Sequence, residues 1–442
     1  MGNRLLVARD EISGRVARYD YDEVDNLISA EYERGGEVER LYRVSDRMGN
    51  LFETRERDDR RYDAGGRLAE DREHFYHYDC EGNLVFKEFK EMVLHGGIVA
   101  PINKERLETE LGIRFRAFGT GWRYDWQSDG MLSRVVRPDG KEVSFEYDAL
   151  GRRTEKTYEG VATHFVWDGN VPLHEWQEVS SDTEKTNITT WLFEQDTFIP
   201  AAKLAGNGES FSIVSDYLGT PLQAFDNNGN KVWEQELDIY GRQRKRPSSF
   251  IPFKYQGQYA DKETGLYYNR FRYYAPRTGA YISQDPIRLK GNNPTLYGYV
   301  GDCNKWTDMF GLDMLALPAP TGKNPWGSGE IVSTTIPKGG LDVEMAMSPG
   351  QTRPGGWATT DKITDVDFVR NKLAVTPEFK PEISHVQKFH IPEGVRVQIG
   401  TVGPQTYNGI IYEGGGNQIQ ILNFEDRAKL EPIGKPRKIS YK

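Results

Sequence analysis

Residues 263–287 read ETGLYYNRFRYYAPRTGAYISQDPI, and this stretch decides how the whole chain is interpreted. Paired tyrosines recur every few residues and are separated by glycine, asparagine or proline. Aromatic side chains favour strands, and glycine favours tight turns. The stretch therefore predicts short strands joined by tight turns. It lies within a longer ordered segment, residues 253–312, which ends in the sequence WTDMFGL.

The sequence that precedes this segment contains a recurring pattern of Tyr-Asp, a few residues, a Gly-Asn or Gly-Arg pair, and then an apolar residue. Copies begin at Tyr21, Tyr62, Tyr78, Tyr124 and Tyr147, and a partial copy runs from Asp46 to Leu51. Each copy is typical of a strand, a turn and a second strand, because Asp, Asn and Gly tolerate the positive φ that hairpin turns require. One hairpin cannot bury its own face, so the copies are expected to stack into one sheet.

Bulk composition excludes several classes of protein. The chain has 442 residues, too many for one ordinary core, so two or more units are expected. A net charge of -9 argues against a general nucleic-acid-binding surface. Cys80 and Cys303 form neither a disulfide framework nor a metal-ligand motif, and no metal is expected. No apolar stretch is long enough to span a membrane, so export would require a secretion machine.

The repeats resemble the YD-repeats of Rhs proteins, which coil into a hollow β-shell around a cargo, and residues 253–312 resemble the Rhs repeat-associated core. This resemblance implies an aspartyl self-cleavage directly after a Gly-Leu pair. The matching positions are the catalytic pair Asp285 and Asp308 and the bond between Leu312 and Asp313. Two carboxyls that share a site split their pKa values, so one can act as base and the other as acid. Met309 stands where the family usually has proline, which would fix the backbone.

The fold class that follows is mainly β, with four successive regions. We predict YD/Rhs repeats that form a partial β-shell over 1–250, the core with its cleavage site over 251–312, a linker over 313–329, and a small α+β toxin domain over 330–442. Residues 1–312 are fewer than a complete shell needs. We therefore expect either the product of a truncated or orphan Rhs gene or the last part of a longer protein.

The C-terminal region has its own pattern. Strands are predicted over 330–336, 343–347, 394–401 and 418–423, and one helix is predicted with Thr364 as its N-cap and Val366, Val369 and Leu373 on one face. His385 and His390 lack the spacing of an HNH nuclease. The region contains neither the cysteines of a zinc deaminase nor a Gly-x-Ser-x-Gly motif.

Three remaining segments carry the functional interpretation: GQTRPGGWATT over 350–360, VQIGTVGPQ over 397–405 and EGGGNQIQI over 413–421. Together they resemble ADP-ribosyltransferase and NAD-glycohydrolase toxins, in particular Rhs-borne transferases that modify elongation factor Tu. The resemblance implies NAD as substrate. It implies the catalytic residues Gln418 and Gln420, and the NAD-binding residues Arg353, Trp357, Thr359, Thr360, Gly415 and Gly416.

The chemistry expected of these residues is specific. Glycine amides can approach the pyrophosphate, an arginine can hold it bidentately, and an aromatic ring can stack on nicotinamide. Gln418 and Gln420 are two residues apart, so they share one face of a strand. Many transferases have Glu at the second position, and Gln cannot supply that negative charge.

The leading hypothesis is an antibacterial Rhs toxin that is exported from the producer's cytoplasm, through type VI secretion as the resemblance implies. Its cargo would ADP-ribosylate a protein in the target cell's cytoplasm, with elongation factor Tu as the implied target. An immunity protein is implied, because a producer would otherwise harm itself. Two alternatives stay open: an NAD glycohydrolase, and an inactive structural remnant of an orphan Rhs gene.

Overall fold

A computed structural model describes most of the chain. The described residues are 4–10, 14–23, 26–91, 103–179, 187–195, 197–244, 249–288, 295–312, 315–316, 326–327, 332–351, 353–377, 379–421, 424–427 and 429–441. The chain divides into two compact units, the first up to residue 317 and the second from residue 318. Each unit is described by itself.

The first unit is built almost entirely of short strands. Within the described residues its elements are β1 (Val7–Asp10), β2 (Arg15–Tyr21), β3 (Leu27–Arg34), β4 (Glu37–Tyr42), β5 (Val44–Ser45), β6 (Leu51–Phe52), β7 (Arg61–Asp63), β8 (Arg67–Glu70), β9 (His74–Tyr78), β10 (Leu84–Phe89), α1 (Lys104–Leu111), β11 (Gly121–Trp126), β12 (Leu132–Val136), β13 (Glu142–Tyr147), β14 (Arg153–Tyr158), β15 (Val161–Asp168), β16 (Val171–Val179), β17 (Thr189–Phe193), β18 (Pro200–Leu204), β19 (Ser210–Ser215), β20 (Pro221–Phe225), β21 (Lys231–Glu234), β22 (Tyr259–Asp261), β23 (Leu266–Asn269), β24 (Arg272–Ala275), β25 (Ala280–Tyr281), β26 (Trp306–Thr307) and β27 (Leu315–Ala316).

One large antiparallel sheet dominates this unit. Among the described residues, the fifteen strands β7 to β21 follow one another in the sheet in the same order as in the sequence. β1 to β4 form a second sheet, and β22 to β25 form a third. The prediction of a mainly β fold made of stacked hairpins is confirmed.

An aspartate-centred turn joins many of these strands. In one copy Asp79 Oδ1 accepts the amides of Glu81 and Asn83 at 3.0 and 2.8 Å. Gly82 donates its amide to the Asp79 carbonyl and has a φ of 85°, which favours glycine. The Tyr-Asp pattern therefore encodes both the end of a strand and the turn that follows.

The same turn occurs beyond the copies that the sequence analysis identified. It recurs at Asp216, Asp226 and Asp238, each of which accepts amides two and four residues later. The interpretation of one earlier copy is corrected. After Tyr124-Asp125 the turn begins at Gln127, whose amide pairs with the Met131 carbonyl, because β11 continues through Trp126.

The tyrosine-rich segment lies at the centre of the first unit. Successive strand residues point to opposite faces, so neighbouring tyrosines pack in different directions. Tyr268 and Tyr273 pack with Leu132 and Phe145 of the large sheet. Tyr267, Tyr274 and Tyr281 pack with Leu27 and Tyr32 of the β1–β4 sheet. The tyrosines of this segment therefore pack the third sheet against both the large sheet and the β1–β4 sheet.

A buried ion pair adds to this attachment. Arg153 Nη1 of β14 lies 2.6 Å from Asp261 Oδ2 of β22, and both side chains are at most 1% exposed. Lys156 of the same strand reaches Glu263 at 2.8 Å. Removing one partner of such a pair would leave a buried charge, which costs about 3–5 kcal/mol.

The second unit consists of two main sheets and short helices. Within the described residues its elements are β28 (Val332–Thr335), β29 (Leu341–Met347), β30 (Trp357–Ala358), α2 (Val366–Asn371), β31 (His385–Ile391), β32 (Arg396–Thr401), β33 (Gln405–Tyr407), β34 (Ile410–Tyr412), β35 (Asn417–Ile421), α3 (Phe424–Arg427) and β36 (Glu431–Lys438). One sheet has the order β28-β32-β35-β30, and the other has the order β29-β31-β36.

The two sheets of this unit meet where Glu344 pairs with Thr359 through their backbones. Their apolar faces share one core, to which Val343 and Phe389 contribute from one sheet and Val397 and Ile419 from the other. The four predicted strands are confirmed as β28, β29, β32 and β35, with somewhat different ends. β31 and β36 were not predicted.

The predicted helix is confirmed in its position, but the predicted N-cap residue is wrong. α2 begins after Asp365, whose carboxylate accepts the Phe368 amide at 2.8 Å, and Val366 and Val369 are buried on it. Leu373, predicted on the same face, lies beyond the last residue of the helix, Asn371. Thr364 is not the N-cap, because its hydroxyl donates to Asp365 instead. Among the described residues no helix has both the length and the apolar content to cross a membrane.

Candidate functional site

The first candidate site surrounds Asp308 in the first unit. Asp308 follows β26 and is completely buried. Its Oδ1 accepts the Leu312 amide at 2.8 Å, and its Oδ2 accepts the Tyr281 hydroxyl at 2.8 Å. Asn269 donates its side-chain amide to the Asp308 carbonyl at 2.8 Å. These bonds fold residues 308–312 back on themselves, so that Leu312 is held close to the carboxylate.

Arg272 of β24 brings the two predicted aspartates together. Its Nη2 lies 2.9 Å from Asp285 Oδ2 and 3.2 Å from Asp308 Oδ2. Its Nε donates to the Gly311 carbonyl. Its guanidinium carbon lies 3.7 Å from the centre of the Tyr281 ring. One guanidinium therefore contacts both carboxylates and the loop that precedes the predicted cleavage point.

Sequence reasoning did not assign a role to Arg272, Tyr281 or Asn269. All three lie in residues 263–287, the stretch that decides the fold. Only their contacts in the structure distinguish them from the neighbouring core residues. Gly311 is also constrained: its φ is 68°, and a Cβ there would lie 2.5 Å from the Asn269 carbonyl oxygen. Leu312 is half-buried, whereas Asp313 lies outside the described residues.

Burial decides the electrostatics of Asp308. Burial raises the pKa of Asp308, and Arg272, the Leu312 amide and Tyr281 only partly oppose it. Asp285 is also buried, and its Oδ1 accepts the Ile287 amide at 2.9 Å. Two buried carboxyls that share one arginine, one of them with a raised pKa, form an arrangement that suits acid and base roles.

The second candidate site is a cleft of about 300 Å³ in the second unit. It lies beside the junction of the two sheets, and its wall is largely apolar, with Ile363, Val369 and Leu373 among its lining residues. Trp357 and Phe379 also line it and remain 40% and 45% exposed. Such a cleft suits a ligand that has a flat ring.

Four polar side chains line the cleft: Gln418, Gln405, Glu344 and Lys380. Gln418 lies on β35, opposite Gly400 of β32, and is buried. Glu344 is buried on β29, and its Oε2 accepts the Ile363 amide at 2.8 Å. Trp357 and Gln418 are the predicted residues that the structure brings together here. Glu344, Gln405 and Lys380 were not predicted.

Other predicted residues lie outside the cleft. Arg353 is exposed and does not line it. Gln420 lies two residues beyond Gln418, level with Trp357 in the sheet, and does not line it either. Thr359 is buried, and its hydroxyl accepts the Asp361 amide at 2.9 Å. Thr360 donates its hydroxyl to Asn417 Oδ1 at 2.9 Å, which links two of the three motif segments.

The glycine loop requires a correction. From the sequence, the amides of Gly415 and Gly416 are expected to face a pyrophosphate. In the structure Gly415 donates to the Val402 carbonyl and Gly416 to the Lys372 carbonyl, at 2.8 and 2.9 Å. A Cβ at Gly416 would lie 2.8 Å from that Lys372 oxygen. The loop is therefore glycine-rich because it packs against the end of α2, and its amides are already used.

Comparisons with known proteins agree with the architecture of the first unit. The first unit consists of antiparallel hairpin strands, many of them joined by aspartate turns. The family model described as "Teneurin YD-shell" matches residues 16–296. The chain belongs to this family.

Three relatives carry different names. The probable deoxyribonuclease RhsA of Dickeya dadantii is 29% identical over 256 residues, which cover 56% of this chain and 16% of that protein. Double-stranded DNA deaminase toxin A of Burkholderia cenocepacia is 27% identical over 397 residues, with 79% and 25% covered. Toxin protein Tse5 of Pseudomonas aeruginosa is 29% identical over 318 residues, with 68% and 24% covered. The chain thus spans at most a quarter of the length of these three relatives.

Proposed function

We propose that this chain is part of an Rhs-type polymorphic toxin whose second unit cleaves NAD and transfers ADP-ribose to a protein of the target cell. The named relatives include a probable deoxyribonuclease and a double-stranded DNA deaminase toxin, so they do not share one activity. The activity must therefore be argued from the second unit itself.

The observation that carries the proposal is that Trp357 and Gln418, from two separate motif segments, line one cleft of about 300 Å³. Trp357 offers an exposed ring on which nicotinamide can stack. Gln418 can hold a ribose hydroxyl while the glycosidic bond breaks. Glu344 lines the same cleft and can supply the negative charge that Gln420 lacks, so it can stabilise an oxocarbenium-like transition state.

The experiment uses the full 442-residue chain, incubated with biotin-labelled NAD and a bacterial lysate. A labelled protein band that is lost in Gln418→Ala supports transferase activity, and its mass identifies the target, with elongation factor Tu the expected one. Thr334→Ala, an exposed substitution on β28, is the control that should keep the band. No band and no loss of NAD would reject NAD chemistry and favour an inactive remnant.

A second candidate function is NAD hydrolysis without a protein acceptor. It is favoured by the position of Gln420, since many transferases have Glu there and this side chain does not line the cleft. The same assay separates the two activities. Release of free ADP-ribose and nicotinamide without a labelled protein would assign a glycohydrolase.

The first unit has a separate proposed role, which is to release the second unit by self-cleavage after Leu312. In this step a water oxygen bonds to the Leu312 carbonyl carbon while Asp285 accepts the water proton. The bond to the Asp313 nitrogen breaks, and Asp308 donates a proton to that nitrogen. The products are a carboxyl group on Leu312 and an amine on Asp313. Asp308 is suited to the acid role because burial raises its pKa.

The cellular setting is also proposed. Export through type VI secretion would deliver the protein from the producer's cytoplasm to that of a target cell. A cognate immunity protein would protect the producer. Co-expression with the product of the gene next to this one tests that partner, and rescue of growth is the expected outcome.

A further inference from the structure

Lys380 is the feature of the cleft that the NAD motifs do not explain. It lines the cleft beside the exposed ring of Phe379, and it is half-buried. Its Nζ donates to Gln351 Oε1 at 2.8 Å. The lining of the cleft therefore includes both a cation and an exposed aromatic ring.

Gln351 holds this cation in place. Its Oε1 also accepts the Ser348 amide at 3.1 Å, and its Nε2 donates to the Arg353 carbonyl at 3.0 Å. The whole side-chain amide is thus engaged with the loop over 348–353 and with Lys380. A lysine tethered in this way loses less conformational freedom when it binds a ligand, so its contribution to affinity increases.

Within the described part of the chain, Lys380 has no carboxylate partner. Among the residues that the structure describes, no carboxylate oxygen lies within 4.0 Å of its Nζ. Glu344 lines the same cleft, but its Oε2 is occupied by the Ile363 amide and lies 3.5 Å from Arg437 Nη2. Burial, together with the nearby charge of Arg370, lowers the pKa of Lys380. An anion in the cleft would relieve both effects.

We propose that Lys380, oriented by Gln351, binds the pyrophosphate of a dinucleotide in this cleft, with Trp357 and Phe379 available to stack on its rings. For NAD as the ligand, this inference rests on the proposed function. It replaces Arg353, which is exposed and outside the cleft, as the anion-binding residue. Lysine binds phosphate groups as a point charge, so it does not need the flat, bidentate geometry of arginine.

The test is isothermal titration of the full chain with three probes: NAD, ADP and nicotinamide riboside. ADP contains the pyrophosphate without nicotinamide, and nicotinamide riboside contains the ring without the pyrophosphate. Lys380→Gln is expected to weaken NAD and ADP binding by about ten- to a hundredfold, as for a lost charge-assisted hydrogen bond, and to leave nicotinamide riboside binding unchanged. Lys380→Arg, which keeps the charge, should retain most of the affinity.

Two variants serve as controls. Arg353→Gln and Lys338→Gln each remove an exposed cation and should bind NAD like the wild type. If Arg353→Gln carries the loss instead, or Lys380→Gln binds NAD and ADP normally, the inference is overturned. If Lys380→Gln fails to fold, the affinity of the wild type for ADP is measured at increasing salt concentration instead. The affinity is expected to fall as salt is added, and an affinity that does not respond to salt overturns the inference.

The two proposals fail in different ways. Binding of ADP that depends on Lys380, without binding of NAD, would reject the proposed function and retain the anion site. Binding of NAD that does not depend on Lys380 would reject the anion site and retain the proposed function. If the wild type binds neither NAD nor ADP, both are rejected.

Discussion

Arg272 and Asp308 are in contact at 3.2 Å, between Nη2 and Oδ2, where the chain approaches Leu312. Both side chains are buried, and the same arginine donates to the Gly311 carbonyl. The charge that faces the carboxylate therefore also fixes the backbone beside the predicted cleavage point. Any loss of this contact should affect both the chemistry and the position of the loop.

The aspartate pair gives the most direct prediction. Asp285→Asn and Asp308→Asn should each abolish self-cleavage, because an amide can serve neither as the base nor as the acid. The wild-type chain should yield two polypeptides, the second of which begins at Asp313. Intact mass and N-terminal sequencing after purification measure this result.

A matched control lies in the same segment. Asp302→Asn changes another buried aspartate, one that is not in contact with Arg272, and should leave cleavage intact. Normal cleavage in both Asp285→Asn and Asp308→Asn would contradict the assignment of the pair. A cut at another bond would contradict the assignment of Leu312.

Two substitutions of Arg272 should separate the effect of its charge from the effect of its contact geometry. Arg272→Lys keeps one positive charge but cannot contact two carboxylates and the Gly311 carbonyl in the same fixed geometry. Cleavage is therefore expected to slow about tenfold or more, the loss that goes with misplaced reacting groups. Arg272→Met should instead destabilise the first unit by about 3–5 kcal/mol, because it leaves two buried carboxyls without a counter-charge. A time course on gels and a urea titration measure the two effects, and a fully active Arg272→Lys would rule out the bridging role.

Much of the fold of the first unit could be predicted because the aspartate turn is local. Asp79 and Asn83 are four residues apart, and the bonds between them use only nearby atoms. The copy at Asp216 escaped prediction because serine, rather than tyrosine, precedes its aspartate, and threonine follows its glycine. The turn needs the aspartate and the glycine more than it needs the residue after them.

The candidate sites were harder to predict because their contacts are distant in the sequence. Trp357 and Gln418 could be selected from their motifs, but Lys380 and Glu344 reach the same cleft only through the packing of two sheets. The glycine loop over 414–416 is a case in which a local pattern predicted a role that its contacts do not support. A local pattern that is typical of phosphate binding has its amides paired with the Val402 and Lys372 carbonyls, and no local rule predicts those partners.

Asp216 provides a pH-dependent prediction. Asp216 is half-buried beside a cavity of about 390 Å³, and desolvation raises its pKa to about 6. The folded chain therefore holds a proton that the unfolded chain releases near pH 4, so stability from this group is lost as the pH rises through 4–6. Asp216→Asn should raise the free energy of unfolding at pH 7 by about 1–2 kcal/mol, because asparagine keeps the two amide contacts without the buried charge.

The control for this prediction is the same turn in an exposed setting. Hydrogen bonds from Asn230 and its backbone lower the pKa of Asp226, so its contribution has the opposite sign. Asp226→Asn should therefore slightly lower stability at pH 7. Urea midpoints at pH 4 and pH 7 measure both variants. Equal shifts of the urea midpoint in the two variants, or a loss of stability in Asp216→Asn at pH 7, would contradict a raised pKa for Asp216.

The two glutamines of β35 should differ in their importance. Gln418 lines the cleft, whereas Gln420 lies level with Trp357 outside it. Gln418→Ala is expected to lower the rate of NAD consumption about a hundredfold, the cost of a lost contact in the transition state, and Gln420→Ala about threefold or less. A fluorescent NAD assay at saturating substrate measures both. An equal loss in the two variants would instead place Gln420 in the reaction.

The glycine loop allows its two interpretations to be separated by experiment. Gly416→Ala would place a Cβ 2.8 Å from the Lys372 oxygen, so we expect a loss of about 1–3 kcal/mol in stability from overpacking. Gly355→Ala is the control, because a Cβ there meets nothing within 4 Å and its φ is not positive. Thermal unfolding and the KM for NAD are measured together. A packing role predicts a lower Tm for Gly416→Ala with a KM close to that of the wild type. An unchanged Tm with a raised KM would mean that the loop binds the pyrophosphate after all, since the added methyl group would then obstruct the ligand rather than the fold.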